Sequence, residues 1–255
     1  MRSCFPWRFS LRSLLLFMLL AGVVLGFAAR LHSRGSRQRQ VLVVASKAGG
    51  RVRYDFECYS ESPYYAAQRW LAPRIGPDLV GNVLILNFDS ASPRRWRTSL
   101  PQVTELQSIQ YFSACCSGLE PADIEQLGQL RQLKELHFQY AQDLPDLRPL
   151  ANLPHLELLG VNSCRRVTAT KLQALRSLPR LKKIDLCNSD AADEILPLLA
   201  EFPALEELHV EASQITATGL TQLKSSKSLR TIHLNAEQAA EGIAEQLPQF
   251  SWEVK

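Results

Sequence analysis

The chain of 255 residues lacks G-x-S-x-G, H-E-x-x-H, G-x-x-x-x-G-K-S/T and G-x-G-x-x-G, so the usual signatures of hydrolases, zinc proteases and nucleotide-binding enzymes are missing. Its six cysteines, Cys4, Cys58, Cys115, Cys116, Cys164 and Cys187, form no C-x-x-C pair, and no histidine stands at zinc-finger spacing. A metal ribbon and a dithiol redox motif are therefore unsupported, and the redox compartment stays open. The adjacent Cys115 and Cys116 could close only into a strained vicinal disulfide, against two ordinary small side chains near a strand end. Acid is absent from residues 1–40, where Arg2, Arg8, Arg12, Arg30, Arg34, Arg37 and Arg39 stand. That tail carries +7, so against the total of +4 the rest of the chain carries −3. The basic balance thus belongs to the tail, which argues for a membrane-proximal segment and against a nucleic-acid-binding domain.

What the tail does have is an apolar run, residues 14–29, with Arg8 and Arg12 before it and Arg30 after it. The run falls slightly short of the roughly 20 residues of a straight transmembrane helix, a difference that snorkelling arginines make up. A cleaved signal peptide shares the basic start and apolar centre, and Gly26, Ala28 and Ala29 offer it a cleavage site. An uncleaved anchor, with membrane contact through residues 11–29, is the favoured reading, because basic residues follow directly and no good A-x-A site precedes them. Arginine counts on the two sides nearly tie, so the charge rule does not orient the segment. The expectation is a single pass with the downstream part extracytoplasmic. Residues 30–40 show no apolar periodicity and read as a basic juxtamembrane linker.

From residue 41 to 82 the pattern is that of an N-terminal capping unit. Val52, Tyr54 and Phe56 alternate with charged residues after Gly49-Gly50, as in a half-buried strand, and Pro63 to Ile75 carries Tyr64, Ala67, Trp70 and Leu71 at helical offsets.

The stretch Leu205–Leu223 states the unit that organises the remainder, residues 83–255. Leu205, Leu208 and Val210 occupy positions 1, 4 and 6, and Ile215, Leu220 and Leu223 follow at helix-like spacing. One strand and one helix with an apolar edge each cannot bury those edges alone; they need stacked copies. The fourth positions of the copies are expected at Leu86, Ile109, Leu136, Leu159, Ile184, Leu208 and Ile232, spaced by 23, 27, 23, 25, 24 and 24 residues. Leu247, Phe250 and Trp252 form a truncated eighth copy that caps the end. Pro145 and Pro149 forbid an α-helix in the third copy and suggest an extended or 3₁₀ segment. Thr168 and Thr216 stand where N-cap hydroxyls are wanted, and Pro121 at a first helical turn.

These units, L-x-x-L-x-L followed by I/V-T-x-x-G/x-L-x-x-L as in the stretches from Val167 and Ile215, resemble bacterial leucine-rich repeats of the cysteine-containing type. Cys164 alone occupies the ninth position that gives the type its name. With the anchor and G-G-R-V-R-Y-D-F from Gly49, the chain also resembles bacterial membrane-anchored repeat proteins. The resemblance implies an α/β leucine-rich-repeat solenoid of about seven repeats, with a parallel sheet on a concave face and helices or 3₁₀ turns on the convex one.

Candidate chemistry then lies on the concave face, where positions 5 and 7 point away from the core. In this register the fifth positions include His137, Asp185, His209 and His233, and the seventh include Phe112 and Glu211. His209 and His233 fall on adjacent strands about 4.8 Å apart, with Asp185 beside them, whereas His137 lies three strands away. A metal-binding, pH-sensing or enzymatic patch of His209, His233, Asp185 and Glu211 is one reading, but the pattern fixes no third or fourth ligand. The favoured reading needs neither catalysis, cofactor, metal nor small-molecule substrate. Asp185, Glu206, Glu207, His209 and Glu211 make an acidic patch bordered by Lys182 and Lys183, suited to a protein partner with a basic surface. Phe112 would serve as an exposed aromatic anchor, with His137 and His233 completing the face.

Overall fold

The computed structural model describes residues 11–59, 62–239 and 243–254. Cys4, Arg2 and Arg8, and with them the basic start of the expected anchor, lie outside the described residues.

One sheet of nine strands runs through the chain in strict sequence order. Its strands are β1 (Arg51–Tyr54), β2 (Val83–Phe88), β3 (Tyr111–Cys115), β4 (Glu135–Gln139), β5 (Leu158–Asn162), β6 (Lys183–Asp185), β7 (Glu207–His209), β8 (Thr231–Leu234) and β9 (Ser251–Val254). β1 pairs antiparallel with β2, and every later pair is parallel. Parallel neighbours require a crossover between strands, and each returning segment covers the sheet's apolar side. The result is an α/β repeat stack.

The ladder aligns Leu86, Phe112, Leu136, Leu159, Ile184, Leu208 and Ile232 in one row. All seven are fully buried, and the burial of each large apolar side chain favours the stack by about 1.5–3 kcal/mol. This row corrects the second copy. Phe112, expected as a solvent-facing anchor, is the core residue of β3, and Ile109 is the first position of that copy instead of the fourth. A three-residue slip moved the alternation to the wrong face, because a strand's side chains repeat every two residues. The last copy shifts likewise: Trp252 pairs with Ile232 and so takes the fourth position.

After β4 to β7 the chain leaves the sheet through Tyr140, Ser163, Asn188 and Ala212, each with positive φ of 53–60°. They occupy the eighth position of four successive copies, a recurrent left-handed turn built without glycine. The ninth position turns back into the core. Cys164 lies there with Sγ 3.5 Å from the Phe138 carbonyl, and Ser189 and Ser213 donate their hydroxyls to the carbonyls of Leu186 and Val210 at 2.6 and 2.7 Å. The hydroxyls reinforce the turns, because the Ser189 and Ser213 backbone N–H groups reach the same carbonyls at 3.2 and 3.0 Å.

The helical side is uneven. α1 (Leu11–Lys47), α2 (Asp55–Cys58), α3 (Pro63–Ile75), α4 (Pro77–Val80), α5 (Pro93–Val103) and α6 (Pro121–Leu127) precede a 3₁₀ turn at Arg148–Asn152, with Pro149 in its first turn. α7 (Ala169–Leu172), α8 (Leu196–Ala200), α9 (Ala217–Leu220) and α10 (Ile243–Gln246) are single turns. Thr216 caps α9 by accepting from the Gly219 N–H at 2.9 Å, whereas the Thr168 hydroxyl makes no cap bond and meets Thr170.

Residues 30–40 are not an irregular linker: α1 continues unbroken from Leu11 to Lys47. Its second half packs on the cap. Val41 and Ala45 are buried, the buried Gln38 amide donates to the Gly81 carbonyl at 3.1 Å, and Arg39 Nε pairs with Asp78 at 3.0 Å. Gly35 allows this approach, since a Cβ there would come within 2.5 Å of Leu79 Cδ2. Asp78 also accepts the Tyr54 hydroxyl at 2.5 Å; burial and then this carboxylate push the Tyr54 pKa upward. The arginine spacing that reads as a solvated flank is therefore one exposed face of a helix whose other face is small and apolar.

Candidate functional site

Side chains of positions 3, 5 and 7 lie on the side of the sheet opposite the leucine core. On β6 to β9 they converge. The register places Lys183 opposite Glu207, Asp185 opposite His209, His209 opposite His233, and His233 opposite Glu253. The short strands and their parallel pairing hold each residue beside its counterpart one repeat away.

The two imidazoles stack with centroids 3.7 Å apart and an interplanar angle of 16°. Their side chains are only 10% and 8% exposed, far less than solvent-facing positions imply, because each ring covers the other and carboxylates close the ends. Glu207 Oε1 lies 2.5 Å from His209 Nε2 and 3.0 Å from His233 Nε2, and it accepts from Lys183 Nζ at 2.8 Å. Burial would raise the Glu207 pKa, but the Lys183 and His209 hydrogen bonds outweigh it and bring it down to about 2. His233 is shifted down by burial and by the neighbouring His209.

The opposite ring edges face other acids. His209 Nδ1 is 3.6 Å from Glu211 Oε2, and His233 Nδ1 is 3.1 Å from Glu253 Oε2. Beside Glu211 stands Cys187, whose thiol donates to Glu211 Oε2 at 2.8 Å and whose backbone N–H donates to Asp185 Oδ1 at 3.0 Å. Asn162 Nδ2 donates to Asp185 Oδ2 at 3.0 Å. Burial and the two carboxylates push the Cys187 pKa well above the usual thiol range. Two sets have the donor types and spacing for a cation, Asp185 with Cys187 and His209, and Glu207 with His209 and His233; within each, the ligand atoms lie within 4.8 Å of one another.

The expected site residues thus separate into two groups. Asp185, Glu207, His209, Glu211 and His233 come together. Glu206 precedes β7, and its carboxylate sits 3.5 Å from Lys182 Nζ. His137 lies three strands away, 3.9 Å from Glu135 and with its ring 5.2 Å from that of Tyr111. Phe112 is in the core. Glu253 falls outside the expected set because Trp252, not Phe250, takes the fourth position of the last copy, and Cys187 joins the cluster from a seventh position whose spacing alone gives it no chemical role. Among the described residues the cysteines are free thiols, Cys115 and Cys116 included.

No protein-family model matches the sequence, and comparison with curated proteins finds no match. Among solved structures, the chain is similar to an internalin C2 from Listeria monocytogenes, with a TM-score of 0.45 and 18% identity over 70% of this chain and 82% of that one. It is similar also to an internalin, inlF, from the same organism, with a TM-score of 0.41 and 14% identity over 74% of this chain and 66% of that one. At these values the likeness transfers no function.

Proposed function

We propose that the chain is a membrane-tethered, non-catalytic binding module of the leucine-rich-repeat type whose polar sheet face takes a protein partner. The observation that carries this reading is the repeated sheet itself: seven parallel strand pairs present position-3, 5 and 7 side chains in regular rows on a rigid frame. Repeat stacks offer extended surfaces for recognition in this way. The cluster around His209 and Glu211 is the acidic end of the face and favours a basic patch on the partner.

Tethering is supported by α1. Leu15, Phe17, Leu19, Val23, Leu25 and Phe27 are each 58–70% exposed, and the apolar window has mean hydropathy 2.0 with none of it buried. About 20 such residues match the apolar thickness of a bilayer. The docked second half would make α1 a stiff stalk, fixing the stack near the membrane on, we infer, the extracytoplasmic side.

Comparative pull-down from native membranes tests the binding face. Wild type should retain a partner that Glu206→Lys combined with Glu211→Lys loses; unchanged retention counts against the patch. Alkaline carbonate extraction should leave the chain in the membrane fraction, and release into the soluble fraction would remove the anchor.

A further inference from the structure

We infer that Asp185, Cys187, His209 and Glu211 form a binding site for a divalent cation of the zinc class. The four residues are positions 5 and 7 of two neighbouring repeats, a two-by-two block on one face of β6 and β7 and the turns that leave them. They supply a thiol sulfur, an imidazole nitrogen and two carboxylates, the donor set zinc accepts in four-coordinate sites.

Ring orientation is the second, independent observation. Glu207 Oε1 engages Nε2 of His209 at 2.5 Å, and in the tautomer with the proton on Nε2 the ring presents its Nδ1 lone pair to the block. A carboxylate that holds the far N–H of a histidine in this way is the usual support behind a metal-ligating imidazole. His209 Nδ1 lies 3.6 Å from Glu211 Oε2, the same oxygen that accepts the Cys187 thiol at 2.8 Å, so imidazole, thiol and carboxylate converge on one point. Asn162 fixes Asp185 from behind at 3.0 Å.

In the competing set of Glu207, His209 and His233 the carboxylate oxygen is already occupied. Glu207 Oε1 is engaged by both Nε2 atoms and by Lys183 Nζ at 2.8 Å, and an ammonium at that oxygen takes the place a metal would need. At the block, three of the four ligands need only small movements, and Glu211 must swing in to complete the set. Asp185, Cys187 and His209 offer atoms within 4.8 Å of one another, and metal–ligand bonds of about 2.0–2.3 Å bring ligand atoms to roughly 3.5 Å apart. On binding, the Cys187 Sγ–H bond breaks, its proton leaves to solvent, and a sulfur–metal bond replaces it. Zinc undergoes no redox change in this exchange.

The test uses the full chain in detergent, stripped with a chelator and titrated with cobalt(II) as a spectroscopic stand-in for zinc. A thiolate-to-cobalt charge-transfer band should grow to one equivalent and vanish when zinc is added. Cys187→Ser should abolish the band and weaken zinc binding at least tenfold, with Asp185→Asn and Glu211→Gln weakening it in the same direction. Cys164→Ser and His137→Gln should leave it unchanged. Zinc should also protect Cys187 of the wild type from alkylation, a readout that holds even if Cys187→Ser fails to fold. Absence of the band together with absence of protection overturns the site. So does a band that survives Cys187→Ser, or cobalt binding that is lost in His233→Gln and retained in Cys187→Ser.

Discussion

Phe112 stands directly opposite Leu136 in the parallel ladder of β3 and β4, and its ring lies 5.8 Å from that of Trp96 in the core. Trp96 in turn donates its indole N–H to the Cys115 carbonyl at 2.7 Å. The strand is thereby fastened to α5 by both packing and a hydrogen bond.

Phe112→Ala should accordingly destabilise the stack by about 3–5 kcal/mol, the range for deleting a buried aromatic. Denaturant unfolding monitored by circular dichroism measures it. A loss below about 0.5 kcal/mol, the level of an ordinary surface substitution, would return Phe112 to the exposed face.

Docking of α1 on the cap gives a second prediction. Gly35→Val should loosen this contact, because even a Cβ meets the Asp78 carbonyl at 3.1 Å as well as Leu79. Gln38→Ala removes the buried hydrogen bond to Gly81 and should cost about 1 kcal/mol. Hydrogen exchange of residues 36–48 should speed up in both variants while exchange in β5 to β7 stays unchanged.

The repeat period, the parallel sheet, the 3₁₀ turn around Pro149 and the pairing of His209 with His233 were legible in the sequence because each rests on local spacing. Phe112 was not, since I-Q-Y-F-S-A-C-C offers apolar residues on both faces and only the ladder decides between them. The helical course of residues 30–40 was hidden for a different reason. Gly35 and Gln38 are poor markers of a packed face, and their partners Leu79 and Gly81 lie more than 40 residues away. Cys187 could be assigned to its row, but its approach to Glu211 depends on how the chain turns out of β6.

The pair Glu135 and His137 predicts a pH effect away from the His209 cluster. The His137 imidazole, 3.9 Å away, holds the Glu135 carboxyl below its ordinary range, with burial opposing. A depressed folded-state pKa contributes stability above the unfolded value of about 4.3 and loses it as pH falls through the folded value. Thermal midpoints should therefore fall less steeply below pH 4.3 in Glu135→Gln than in wild type; parallel curves would show that the pair is uncoupled. Because Glu135 is half exposed, the difference should be small.

Glu207→Gln should release Lys183 and leave the two stacked rings without their shared carboxylate. Nuclear magnetic resonance of the imidazoles should then show altered tautomer populations at His209 and His233 and no change at His137. Unchanged His209 signals would mean that Glu207 does not orient the ring.

The central claim, that the polar sheet face binds a protein, is tested most directly by photo-crosslinking in the native membrane. Crosslinkers at Asp89, Gln139 and Asn162 on the sheet face, and at Glu125, Arg176 and Lys224 on the helical side, should give one discrete adduct from the first set and none of that mass from the second. The same adduct arising from the helical positions and not from the sheet would contradict the account.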